Sequence, residues 1–163
     1  MKTILRKMTL EEYDAFYEGS IKNHIRELIK ENNISEEDAL SQTKQELQEM
    51  LPNGLSTASN FLMTIKDSSS EKCVGFIWYL YEVANGVQQC FLCDFVINVS
   101  ERRKGYATES IILMEKNAVQ SGCKESVLFV GNENEAAQKL YTNCGYAFLR
   151  DLDDGMYFKK VIL

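Results

Sequence analysis

Within about fifteen positions the sequence passes from a strand pattern to a helix pattern, and that junction limits the folds open to the chain. Phe95-Val96-Ile97-Asn98-Val99 is a strand-like apolar run, Ser100-Glu101 leads out of it, and Arg102-Arg103-Lys104-Gly105-Tyr106-Ala107-Thr108 follows. Ala107, Ile111, Met114 and Ala118 then recur at helical spacing up to Ser121-Gly122. A strand fed through a short glycine-containing loop into a helix belongs to a layered fold of sheet and helices. The start of that helix has N–H groups with no intrahelical acceptor and the positive end of the macrodipole, so it suits a phosphate. Gly105 and Ala107 let a ligand approach the backbone, Arg102, Arg103 and Lys104 concentrate positive charge, and Thr108 can donate a hydroxyl. Taken alone, such a turn is ordinarily a solvated basic turn around a glycine.

Other chemistries are excluded more firmly. A Walker-type loop needs Gly-x-x-x-x-Gly-Lys-Ser/Thr and a dinucleotide fingerprint needs three spaced glycines; the junction has neither. The net charge of −6 and pI near 4.9 argue against nucleic acid as a nonspecific partner and favour a cationic one. His24 is the only histidine, which disfavours histidine metal clusters and Cys-His nucleophiles. Five cysteines, at 73, 90, 93, 123 and 144, cannot all pair, and are expected as reduced, mostly buried thiols. Cys90-x-x-Cys93 lies inside an apolar run with no second pair downstream, so no metal is expected. Neither a signal-peptide core near the N-terminus nor a run of membrane-spanning length is visible, and a cytoplasmic protein is expected.

With 163 residues, 45% of them hydrophobic, one domain over 1–163 is expected. A strand over 3–8 precedes Thr9 and Glu12, a capping box, with Met8 and Tyr13 placed as a hydrophobic staple. Apolar residues at 13, 16, 17, 21, 25, 28 and 29 predict a long helix ending at Asn32-Asn33. Ser35-Glu36-Glu37-Asp38 opens a second helix whose apolar face is Leu40, Leu47, Met50 and Leu51, stopped by Pro52-Asn53-Gly54. Strand patterns over 61–65, 73–81 and 89–99, broken at 67–70 and at Asn85-Gly86, predict a three-stranded antiparallel meander. After the helix at 105–120 come a strand over 127–130, a helix over 134–143 and strands over 146–149 and 155–162.

This order and two linked motifs resemble the GNAT superfamily of N-acetyltransferases. Arg102, Gly105 and Ala107 match that family's Arg/Gln-x-x-Gly-x-Gly/Ala loop, and Asn134, Ala137, Leu140-Tyr141 and Gly145-Tyr146 match its later segment. The departure is Arg103, where many members carry glycine. The resemblance implies an α/β (α+β) fold: a mixed, mostly antiparallel sheet of about seven strands, a splayed fourth and fifth strand, and about four helices. It further implies that acetyl-CoA is the cosubstrate and that its pantetheine arm pairs with the backbone of 97–99 (Ile97, Asn98, Val99). The diphosphate then rests on the amides of 103–108, and Asn134 holds the arm or the fifth strand. Asn134 reads equally as a helix N-cap.

Transfer to an amine requires a neutral nitrogen, a polarised thioester carbonyl and a proton for the thiolate. In the family the tyrosine matching Tyr141 supplies the proton; by spacing alone Tyr141 is a core aromatic. A backbone amide near Ile97 or Val99 is the expected oxyanion donor, and Asp94 and Glu82 are the candidate bases. The expected activity is transfer from acetyl-CoA to a primary amine by direct attack in a ternary complex, the alternative being a noncatalytic acyl-CoA sensor. Small-molecule and protein amines both stay open as acceptors, and a homodimer through terminal strands is expected from the need to cover edges.

Overall fold

The structure, a computed structural model, describes residues 1–163 and divides into two compact units, Met1–Lys7 with Phe61–Leu163, and Met8–Asn60. In chain order the elements are β1 (Thr3–Lys7), α1 (Leu10–Asn32), α2 (Glu36–Met50), β2 (Asn60–Asp67), β3 (Cys73–Ala84), β4 (Val87–Ile97), α3 (Tyr106–Gln120), β5 (Glu125–Gly131), α4 (Glu135–Asn143), β6 (Ala147–Leu152) and β7 (Gly155–Val161). Short 3-10 turns occupy Gly54–Ser56 and Val99–Glu101. No helix is long and apolar enough to cross a membrane.

The smaller unit is helical. Thr9 and Glu12 form the expected capping box: the Glu12 amide donates to the Thr9 hydroxyl at 3.2 Å and the Thr9 amide to the Glu12 carboxylate at 2.8 Å. Asn33, in the left-handed conformation, ends α1, and the Ser35 hydroxyl accepts from the Asp38 amide to begin α2. Tyr13, Phe16 and Leu28 are buried on α1, whereas Ile29 falls to the exposed side. On α2 the buried line is Ala39, Thr43 and Leu47, at intervals of four, so Met50 is exposed and Leu40 only half-buried. His24 on α1 and Glu46 on α2 join the two helices at 2.7 Å.

The larger unit is one seven-stranded sheet in the order β1-β2-β3-β4-β5-β7-β6. Antiparallel pairs join β1 to β2, β3 to β4, β5 to β7 and β6 to β7; β4 and β5 run parallel. The β3–β4 hairpin turns on Asn85 and Gly86, both at positive φ, which matches the right-handed twist of the strands. α3 lies against β1, β3 and β4, and Ile111, Met114 and Ala118 are fully buried with Ile77, Cys90 and Leu128 of the sheet. All five thiols are free; Cys90 and Cys123 are buried, Cys93 and Cys144 half-buried and Cys73 exposed, so burial is less general than expected.

Candidate active site

The site begins where two strands part. Parallel pairing of β4 with β5 runs from Gln89 opposite Glu125 to Leu92 opposite Leu128 and stops there, although β4 continues to Ile97 and β5 to Gly131. On its other side β4 stays paired with β3 as far as Ile97 opposite Gly75. Within that pairing Leu92 faces Tyr79 and Asp94 faces Trp78, so Cys93 is one residue in excess. Such a bulge bends and twists its strand, and here it coincides with the departure of β4 from β5. The gap opens a cleft of about 670 Å³. β4 is held very close to β3: a Cβ on Gly75 would lie 2.1 Å from the Val96 carbonyl oxygen, which only glycine permits.

One end of the cleft is formed by the start of α3. Thr9, Ser35 and Asn134 cap the other three helices through their side chains, whereas the N-cap of α3 is Gly105, at φ +89° with no side-chain hydrogen bond. Residues 106–108 line the cleft, and their amides have no side-chain capping oxygen. Arg103 has φ +63°, a conformation that costs a non-glycine residue roughly 1–3 kcal/mol. The glycine that the family pattern often has here would avoid that cost. Arg102 and Arg103 both line the cleft, and the Arg102 Nε donates to the Ile97 carbonyl at 3.1 Å. Lys104 does not line it. Its ammonium donates to buried Glu101, which Lys72 also contacts. Hydrogen bonds from Lys72 and then Lys104 hold the Glu101 carboxyl down at about 2.

The wall opposite is α4. The Asn134 side chain caps it, accepting from the Ala137 amide at 3.2 Å, and Asn134 also lines the cleft, so the two readings of this residue coexist. Tyr141 is buried with its ring edge-on to Tyr146 at 5.9 Å. Burial, and secondarily the Asp94 charge, push its phenol well above the ordinary 10. No protein hydrogen bond contributes to that shift, and the side chain faces the cleft. The phenol is fully protonated at neutral pH.

The residues expected at the site lie unevenly about this cleft. The cleft-facing edge of β4 is 95–97, not 97–99: Val99 begins a 3-10 turn with its side chain exposed, and the Asn98 amide is committed to the Val74 carbonyl at 2.8 Å. The Tyr106 side chain points into the core, leaving its backbone to serve the loop. Glu82 lies outside the cleft, exposed near the β3–β4 turn, where the Gln89 side chain donates to it across the strands at 2.7 Å. Asp94 does not line the cleft either: it is half-buried, its carboxylate accepts from the Phe95 amide at 2.8 Å, and its charge acts on Tyr141. Sequence reasoning missed Lys139 and Asn143, which line the cleft from α4. Their four-residue spacing was the available signal.

A cleft between splayed parallel strands, with an uncapped helix start at one end and a protonated phenol on its wall, is the arrangement that the resemblance to the GNAT superfamily implies. The acetyltransferase (GNAT) family model matches residues 23–146. The uncharacterized N-acetyltransferase YycN of Bacillus subtilis strain 168 is 30% identical over 146 residues, spanning 90% of this chain and 93% of that protein. The crystal structure of YycN superposes with a TM-score of 0.81 at 28% identity, covering 93% of this chain and 96% of that one. A spermidine N-acetyltransferase from Vibrio cholerae, solved with CoA and spermine, shares the fold at a TM-score of 0.69 and 14% identity, covering 99% and 96%. The chain belongs to the GNAT acetyltransferase family and is an acyltransferase with N-acetyltransferase relatives.

Proposed function

We propose that this protein transfers the acetyl group of acetyl-CoA to a primary amine by direct attack within a ternary complex. The observation that carries the reading is one cleft that joins the uncapped start of α3 to the protonated phenol of Tyr141. An anionic diphosphate on an extended arm fits the residues present. The amides of 106–108, with Arg102 and Arg103, hold the diphosphate, the 95–97 edge of β4 pairs with the pantetheine arm, and Asn134 faces the arm from α4. The Ile97 backbone amide on that edge polarises the thioester carbonyl. Tyr141 gives its proton to the departing thiolate, and Asp94, ahead of Glu82, takes the proton from the amine.

Polyamines are the first acceptors to try, because the net charge is −6 and a neighbour in fold is a spermidine acetyltransferase. Protein amines are the second class. We further propose that residues 1–163 act as one cytoplasmic domain and form a homodimer through β6, an edge strand with all six residues exposed, among them Phe148, Leu149 and Leu152. The test is release of thiol from acetyl-CoA against polyamines, amino acids, aminoglycosides and protein N-termini. Turnover with one class supports transfer. Binding of coenzyme A with no thiol released from any acceptor leaves the sensor as the function.

A further inference from the structure

The loop that opens α3 is held from a part of the chain that lies outside the cleft. The β2–β3 turn, 67–72, reaches it at two points. At one, the Tyr106 hydroxyl donates to Asp67 Oδ2 at 2.7 Å, with both side chains buried. The other Asp67 oxygen accepts four bonds, from the amide and hydroxyl of Ser69 and of Ser70, at 2.6 to 3.1 Å. At the second point Lys72 and Lys104 grip the same buried carboxylate, Glu101. The turn is closed on itself by the Asp67 amide donating to the Lys72 carbonyl at 2.9 Å. One rigid turn therefore fixes residue 101, before the loop, and residue 106, after it.

The arrangement is costly unless geometry is its purpose. Two carboxylates beside an anion-binding loop repel the anion, and each is tolerated because its oxygens are fully engaged, Glu101 by two ammonium groups and Asp67 by five donors. Between the two anchors Arg103 holds a positive φ, which a free loop would relax, and Gly105 holds another that glycine adopts without that cost. Tyr106 is also the first residue of α3, so its ring fixes the direction in which the amides of 106–108 point.

Building on the coenzyme A reading above, we propose that Asp67 and Tyr106 are positioning residues for the diphosphate half of the donor. Their side chains hold the α3 amides at a fixed angle and touch no ligand themselves. Coenzyme A and pantetheine, which carries the arm without the diphosphate, separate this role from a general structural one. Dissociation constants for both are measured by NMR titration of the wild type, Tyr106→Phe and Asp67→Asn; none of these needs an acceptor.

Each variant is expected to raise the constant for coenzyme A about tenfold and to leave that for pantetheine within twofold. Asp67→Asn retains the side-chain shape and provides the reading if Tyr106→Phe does not fold. Equal losses for the two ligands, or no loss for either, overturn the positioning role while leaving the coenzyme reading intact. Failure of the wild type to bind coenzyme A overturns both.

Discussion

Leu92 and Leu128 form the last rung of the parallel ladder between β4 and β5, and the next residue on β4, Cys93, is bulged against β3. The outer half of β4 is consequently supported from one side only, through its pairing to Gly75. That support is tight enough to be tested. In Gly75→Ala the new Cβ meets the backbone carbonyl of Val96 at 2.1 Å, where no flexible side chain can yield. The expected cost is roughly 1–3 kcal/mol of stability, together with weaker coenzyme A binding as 95–97 shifts. Gly19→Ala, at an exposed position within α1 with nothing inside 4 Å, is the contrast and should stabilise by roughly 0.5–1 kcal/mol. Thermal melts of both variants read the difference, and a Gly75→Ala protein as stable as wild type disproves the close approach.

Gly105→Val is expected to abolish measurable coenzyme A binding. No protein atom lies within 4 Å of the Cβ position, so packing does not forbid the side chain. The φ of +89° forbids it, because a β-branched residue is forced out of that conformation and takes the first turn of α3 with it. Calorimetry that returned wild-type affinity for this variant would remove the loop from the binding site.

Tyr141→Phe should lower acetyl transfer by about a hundredfold, the low end for loss of a general acid, with coenzyme A affinity nearly unchanged. Burial and the Asp94 charge both raise the Tyr141 pKa above 10. The acid form is therefore retained below pH 10 and lost only as pH rises through that higher value. Any fall in wild-type kcat between pH 8 and 10 must come from another group, and a pH–rate profile of the two proteins reads this. Unchanged turnover in the variant takes Tyr141 out of the mechanism.

What was legible in the sequence was local. The capping box at Thr9, the Asn85-Gly86 hairpin and the strand-to-helix junction at Gly105 each depend on neighbours within a few positions, and each stands in the structure where its pattern put it. The link between the Arg102 loop and Asn134 to Tyr141 was legible only through family resemblance. What escaped depends on register between distant strands. The bulge at Cys93 has no local signature, since it arises from how β4 meets β3, and the stretch of β4 that lines the cleft, 95–97, lies just beyond it. Lys104 read as a phosphate ligand although Glu101 stands three residues before it, because the burial of Glu101 and its second partner, Lys72, become apparent only once the β2–β3 turn is folded beside the loop. The pairing of Asp67 with Tyr106 was invisible for the same reason, being 39 residues apart in sequence.

The Glu101 clasp makes a prediction about acid stability. The carboxyl has an ordinary value of 4.5 and is held at about 2 in the folded chain by Lys72 and Lys104. A group depressed in this way stabilises the fold fully above its unfolded value, and that contribution is lost as pH falls through the folded one. Glu101→Gln removes the charge at every pH. Its melting temperature should therefore lie furthest below that of the wild type above pH 5, and the gap should close steadily between pH 4.5 and pH 2. Melts of the two proteins across that range, in matched ionic strength, read the gap directly. A deficit that stays constant with pH assigns the effect to packing around the side chain, and the ionised clasp then contributes nothing to holding the loop.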